Sequence, residues 1–208
     1  MPRVIAALFV VTACGSRSRE AEPAPTADPT ADPTAAVTPA PTPVRPSAPA
    51  PRRDDEWPAA PTRVVTDRIG DLAFTLALPN ELQGHPNDRT ERSRGWEVVG
   101  WPLTQPRFEV TRRDEPGFTT VEAGREAYAD DADHVASAAL TDGRFTLVVT
   151  SAPGTRAVEA FVSAYVVIPA GAGSLECFGT HGGAHLTAPE VIGPWLAATC
   201  ATLTVTPR

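Results

Sequence analysis

Residue types that commonly bind zinc lie in one cluster of this sequence, Cys177-x-x-x-His181-x-x-x-His185. Zinc accepts cysteine and histidine ligands, and two histidines four residues apart share a face of a helix. Three glycines interrupt the cluster and disfavour a helix there. We therefore interpret the segment as a glycine-rich surface loop and keep His181 and His185 only as weak metal candidates.

A second group of candidate ligands is the acidic run from Asp130 to His134, with the sequence DDADH. Calcium is bound by several oxygen ligands, and three carboxylates lie within these residues. The EF-hand pattern, with its central glycine and terminal glutamate, is absent. We interpret the run as solvated residues at the end of a helix.

Sequence motifs of nucleophilic catalysis and of nucleotide binding are absent from the chain. It has no Gly-x-Ser-x-Gly elbow, no GxGxxG and no P-loop. It also has no lysine, which excludes Schiff-base chemistry. Residues 61–208 carry 12 arginines against 18 acidic residues, a net charge of −6, unlike the basic surface of a nucleic-acid-binding domain. We therefore predict no cofactor, no nucleic-acid partner and no enzymatic activity.

Cys14 ends a short apolar run, Val4–Ala13, that follows the charged residue Arg3. This layout is typical of a secretory signal, and the run is roughly half the length needed to span a bilayer as a helix. The tetrapeptide VTAC at residues 11–14 resembles the lipobox of bacterial lipoproteins. The resemblance implies a signal peptide over residues 1–13, acylation of Cys14 with palmitate-type chains, and an extracytoplasmic place on the cell membrane. In a bacterium with two membranes it favours the outer one; a secreted protein without lipid and a cytoplasmic protein are the alternatives.

Residues 14–60 differ in composition from the rest of the chain. Residues 15–60 hold 11 of the 23 prolines and a tandem TADP repeat at residues 26–33. Such a segment has too few large apolar residues to offset its ordering entropy. We predict a disordered Pro/Ala/Thr-rich tether over residues 14–60 and a globular domain over residues 61–208.

Two cysteines, Cys177 and Cys200, remain once Cys14 is assigned to lipid. In an oxidising compartment an even number of remaining cysteines indicates a disulfide bond. Two separately buried thiols are the alternative.

Apolar runs bounded by proline or glycine turns, and one alternating run at 107–112, predict strands over 72–78, 95–101, 107–112, 135–141, 144–151, 158–168 and 175–179. Asp142-Gly143 predicts a hairpin turn between two of these strands. Two Thr-x-x-Glu sequences predict helices over about 120–132 and from about residue 187, the second with a kink or a delayed start at Gly193-Pro194. The order of elements predicts an α+β fold with one twisted, mainly antiparallel sheet covered by helices.

The strand ending Phe-x-x-x-x-Pro at Phe74–Pro79 and the closing Trp195–Leu203 segment flank a capped helix and an antiparallel meander. This arrangement, over about residues 63–206, resembles the Mog1/PsbP-like group, which includes secreted lipoproteins of the LpqN type. The resemblance implies a binding or accessory module that acts by docking to a partner.

Trp96 and Trp101 lie five residues apart on one predicted strand and therefore on opposite faces. We expect one of them in the core and the other as a contact for a partner or a glycan. The sequence thus predicts a membrane-anchored lipoprotein whose non-catalytic domain binds an unknown envelope protein or ligand. A lipid or small-ligand carrier, which needs an internal apolar cavity, is the alternative; a hydrolase or metal-dependent enzyme is the third hypothesis.

Overall fold

Two antiparallel sheets make up most of the fold in the computed structural model, which describes residues 51–100, 105–151, 159–183 and 186–206. Among the described residues, 3-10 helices span Asp54–Ala59 and Pro86–Asp88. The strands and α-helices follow in the order β1 Thr62–Ile69, β2 Leu72–Pro79, β3 Leu82–Gly84, β4 Ser93–Val98, β5 Arg107–Arg113, α1 Val121–Tyr128, β6 Asp133–Thr141, β7 Arg144–Ser151, β8 Phe161–Ala170, β9 Gly173–Gly182, α2 Pro189–Ala201 and β10 Thr204–Thr206.

The larger sheet has the strand order β3-β4-β5-β9-β8-β7-β6, and the smaller has the order β1-β2-β10. Neighbouring strands are antiparallel in both sheets. The predicted α+β class is therefore confirmed. The sequence pattern missed β1, β3 and β10, because β1 is largely exposed and the other two have only three residues each.

The core lies between one face of the larger sheet, the smaller sheet and α2. Every second residue of β8, from Val162 to Ala170, enters this core, as the two-residue period of a strand requires. Phe74, Leu76 and Leu78 of β2 reach it from the smaller sheet and are fully buried.

Helix α1 covers the opposite face of the larger sheet over β6 and β7, where a second apolar cluster forms around Phe145. Gly124 permits this close packing, because a Cβ atom there would lie 2.3 Å from the Phe145 ring. The Tyr128 hydroxyl donates a hydrogen bond to Glu176 Oε2 at 2.5 Å, and Arg113 contacts both side chains. Burial and the Glu176 charge raise the pKa of Tyr128 far above its ordinary value. This network holds α1 on the sheet.

A disulfide bond joins Cys177 of β9 to Cys200 of α2, with a Cα–Cα distance of 5.4 Å. The structure thus contains the pair that the cysteine count indicated. The bond fixes α2 across the buried face of the larger sheet.

The two helices differ in detail from the sequence prediction. Helix α1 ends at Tyr128 instead of near residue 132. The acidic run that follows forms a turn, in which Asp133 accepts the Asp130 N–H at 3.0 Å and the Ser151 hydroxyl at 2.5 Å. Helix α2 begins at Pro189 and includes Pro194, so its start is not delayed.

Residues 51–60 belong to the folded domain, which corrects the predicted boundary at residue 61. Asp54 and Trp57 are each only 1% exposed, and the Trp57 ring lies 5.5 Å from the Trp195 ring. The proline-rich composition of the surrounding segment gave no indication that Asp54 and Trp57 are buried in the domain.

Residues 1–50, with Cys14 and most of the predicted tether, lie outside the described residues. Among the described residues, no helix has the length and apolar character needed to cross a membrane.

Candidate functional site

An open groove of about 600 Å³ lies between β6 and the first turns of α2. Its volume falls within the range of known ligand sites. The lining is largely small or apolar and includes Ala136, Ser137, Val148, Ala160, Pro189 and Pro194.

A β-bulge in β6 turns successive residues toward this groove. His134 and Ala136 line the groove as alternate residues of the strand. The register with β7 then shifts between Val135 and Ser137, so Ser137 lines the groove as well. Bulges of this kind re-aim side chains and are frequent beside functional sites. In β6 the bulge widens the strip of small side chains that faces α2.

The opposite wall of the groove depends on how closely α2 approaches the sheet. Helix α2 packs on β7, β8 and β9. Gly193 permits this approach, because a Cβ atom there would lie 2.9 Å from Val148 Cγ1 and 3.1 Å from Val162 Cγ1. Val148, at 3% exposure, forms the floor of the groove, while Pro189 and Pro194 form its rigid helical wall.

The ionisable residues in the described lining of the groove are Glu190 and His134. Both are exposed, Glu190 in the first turn of α2 and His134 on β6. The Glu190 carboxylate at the rim of an apolar cleft favours a ligand group of positive charge beside it.

A buried polar clasp lies near the start of α2 and joins it to the first described residues. His181 Nε2 lies 2.7 Å from Asp54 Oδ1, and both side chains are at most 1% exposed. Asp54 Oδ2 accepts the backbone N–H groups of Thr187 at 2.7 Å and Ala188 at 2.8 Å. Asp54 therefore satisfies N–H groups immediately before α2, where helices leave such groups without intrahelical partners.

The pKa of the Asp54 carboxyl reflects these contacts. Burial alone raises it, but hydrogen bonds from the backbone of Ala188 and Thr187, together with the His181 imidazole, outweigh burial. The pKa of Asp54 consequently lies below its ordinary value of 3.8, and the carboxyl is ionised at neutral pH.

The structure corrects the interpretation of His181 as a surface-loop residue. His181 lies in β9, where it is 1% exposed and bonded to Asp54, and Cys177 is in the disulfide. The glycines around it serve close packing: a Cβ atom at Gly179 would lie 2.9 Å from the Phe108 ring, and one at Gly182 would lie 2.2 Å from the Phe161 ring. His185 lies outside the described residues. Within the described ranges, no three His, Cys, Asp or Glu residues are placed so that they could hold a metal ion together.

Trp96 is a core residue and not a contact for a partner. It is 4% exposed and meets the Phe74 ring edge-to-face at 6.3 Å. The smaller sheet covers this face of β4, which explains the burial. Trp101, the other tryptophan proposed as a contact, lies outside the described residues.

Sequence reasoning missed both the groove and the clasp. The small residues of β6 carry no chemical signature, although the Asp142-Gly143 turn did identify β6 and β7 as a hairpin. The clasp joins residues 127 positions apart, so no local spacing indicates it.

No protein-family model matches the chain, and no curated protein matches it at a significant level. Among solved structures, the chain is similar to the Ran-binding protein Mog1p of Saccharomyces cerevisiae. That match has 10% identity and a TM-score of 0.49 over 69% of this chain and 96% of the other. A mutant of the protein Mog1 matches with 11% identity and a TM-score of 0.49 over 69% of this chain and 95% of the other. At these values the likeness assigns neither a family nor a partner to this chain.

Proposed function

We propose that this protein is a membrane-anchored, extracytoplasmic lipoprotein whose domain is a non-catalytic binding module for a protein of the cell envelope. The VTAC sequence at residues 11–14 supports the anchor. The open groove between β6 and α2 is the observation that carries the binding role.

The groove has the composition of a recognition surface. Apolar side chains such as Val148 and Pro194 form its floor and wall, and polar groups such as Glu190 lie at its rim. An apolar interior with a few oriented polar groups is the usual design of a binding site. The clasp between Asp54 and His181, by contrast, is buried, and the Asp54 carboxylate is bonded within the domain by His181, Thr187 and Ala188.

A lipid or small-ligand carrier is the second candidate, and the volume of the groove, about 600 Å³, is the observation in its favour. The described space between the two sheets is filled by buried side chains such as Phe74 and Val166. The groove is instead open along a sheet edge, and this shape favours a protein partner.

The anchor is tested by the change Cys14→Ser, with Ser16→Ala as the matched control. We expect the unchanged chain and the control to incorporate a labelled fatty acid and to sediment with membranes. Cys14→Ser should do neither, because acyl chains supply the membrane affinity. Labelling or membrane sedimentation of Cys14→Ser at the level of the unchanged chain would refute the anchor.

The binding role is tested by photo-crosslinking in intact cells from a reactive amino acid at Ser137, in the groove. Gln83 is the control position, because it is exposed on β3 at the opposite edge of the same sheet. We expect discrete protein adducts from Ser137 that are missing from Gln83. Equal adducts from both positions, or none from Ser137, would contradict a protein-binding groove, and a co-purified small molecule in native mass spectrometry would favour the carrier.

A further inference from the structure

Building on the proposed function, we propose that the occupant of the groove is an extended peptide segment of the partner, with alternating apolar and basic side chains, added to β6 as a further strand.

The edge of β6 has the backbone geometry that strand addition needs. β6 is the last strand of the larger sheet, so in the described structure only β7 pairs with it. The closing pair of its two-residue hairpin is Thr141 and Arg144, and such a pair is hydrogen-bonded. Because antiparallel pairs alternate, Ala138 and Leu140 direct their N–H groups toward the open edge.

The two faces beside this edge differ in chemistry. On one side lies the groove, whose lining on β6 consists of His134 and the small residues Ala136 and Ser137. On the other side lies a hollow of about 440 Å³ beneath α1, with Glu122, Glu126 and Asp131 in its lining. A peptide strand placed along β6 would direct alternate side chains into the groove and over the hollow.

Charge complementarity identifies the side chains that such a peptide carries. The lining of the hollow contains Arg125 as its one described cation among several carboxylates. On the groove side, Glu190 adds a carboxylate at the rim. Basic residues over the hollow, alternating with apolar residues in the groove, match both faces. An acyl chain or a neutral small molecule would use the groove without the hollow or the backbone edge.

The test uses the full chain carrying Cys14→Ser as the target, because without acyl chains it can be handled without detergent. Peptides that bind this target are selected from a displayed library of random sequences. We expect the selected peptides to alternate apolar and basic residues. Ala136→Trp, which fills the groove, should weaken their binding by on the order of tenfold or more. Gln83→Trp is the control, because Gln83 is exposed on β3 at the opposite edge of the same sheet, and the binding of the selected peptides to this variant should stay within about twofold of the unchanged chain.

Charge and backbone pairing are tested with the same peptides. Glu126→Gln should weaken binding by about twofold to fivefold, and added salt should reduce that difference. Glu91→Gln, an exposed carboxylate remote from β6 in the fold, should have no effect. Hydrogen exchange of the Ala138 and Leu140 amides should slow on peptide binding, while that of Gln83 should not.

Selection of no peptides, of peptides without basic residues, or of peptides that bind Ala136→Trp as well as the unchanged chain would overturn this inference. Unchanged exchange at Ala138 and Leu140 would also overturn strand addition. If one of these results were obtained and Ser137 still crosslinked to proteins in cells, the inference of strand addition would fail while the proposed binding function would stand. Failure of the inference and failure of the proposed function are therefore distinguishable.

Discussion

The clasp and the groove lie near the same first turn of α2 but differ in every property that bears on function. The clasp consists of a carboxylate and an imidazole that are at most 1% exposed, with Asp54 bonded by His181, Thr187 and Ala188. The groove consists mainly of small apolar residues open to solvent. Residue types that carry chemistry in other proteins are structural here, and the candidate binding surface consists of residues without such a signature.

Burial explains this division. A buried charge is tolerated only when it is paired and hydrogen-bonded, so Asp54 and His181 are committed to the fold. Small exposed side chains such as Ala136 and Ser137 contribute little to stability and remain available to a partner. Substitutions in the clasp should therefore change the free energy of unfolding strongly, and substitutions in the groove should change it little.

The largest effect should follow Asp54→Ala, which leaves His181 and two backbone N–H groups buried without their partner. We expect the free energy of unfolding to fall by about 3–5 kcal/mol, measured by urea denaturation at neutral pH. Asp54→Asn, which keeps the shape, should cost less. A change below about 1 kcal/mol for Asp54→Ala would show that the clasp is not structural.

Acid should weaken the same clasp. The pKa of Asp54 is lower in the folded chain than its ordinary value of 3.8, so ionised Asp54 stabilises the fold above that value. This contribution is lost as the pH falls through the lower, folded pKa. The free energy of unfolding of the unchanged chain should therefore decrease more steeply below about pH 4 than that of Asp54→Asn. Parallel slopes for the two proteins would contradict this assignment.

The next largest effect should come from removing the disulfide bond between Cys177 and Cys200. This bond holds α2, the helix that lies beside both the clasp and the groove. It closes a loop with a sequence separation of 23 residues. Replacing both cysteines by alanine should lower the free energy of unfolding by about 3 kcal/mol. A reductant should lower the stability of the unchanged chain and leave the double variant unaffected. Equal sensitivity of the two proteins to reductant would contradict the bond.

A smaller effect is expected from Gly193→Ala, at the contact between α2 and the groove floor. The added Cβ atom would lie 2.9 Å from Val148 Cγ1, and overpacking of this kind costs about 1–3 kcal/mol. Alanine recovers up to about 1 kcal/mol of helix propensity, so the net loss should be about 1 kcal/mol. Urea denaturation measures this loss, and a gain in stability would show that α2 moves freely against the sheet.

The smallest effect is expected from Ala136→Ser and Ser137→Ala in the groove. Both residues are exposed, so each change should alter the free energy of unfolding by less than about 0.5 kcal/mol. If either change lowered the free energy of unfolding by more than about 1 kcal/mol, these groove residues would be needed for folding. The groove and the clasp would then no longer differ in this respect.

The sequence predicted the α+β class because most long strands alternate in burial and the Asp142-Gly143 turn fixes one hairpin. It placed His181 in a loop because glycines commonly mark loops, whereas here they make room for the Phe108 and Phe161 rings. That distinction depends on neighbours that are distant in sequence. The same limit applies to Asp54, whose partner lies 127 positions away.

The groove could not be predicted for a different reason. Its residues come from β6, β7, α2 and the positions just before β6 and β8, and none of these segments is unusual alone. The β-bulge that turns Ala136 and Ser137 to one side leaves no mark in an alternating pattern of small residues. Only the packed positions of these elements create the surface.

The central claim is that the groove binds a partner and is not needed for folding. It is tested most directly on one protein, Ala136→Trp, with urea denaturation and with in-cell photo-crosslinking from Ser137. We predict a free energy of unfolding within about 0.5 kcal/mol of the unchanged chain, together with loss of the Ser137 protein adducts. Adducts that persist at the level of the unchanged chain in a fully folded Ala136→Trp protein would contradict the account.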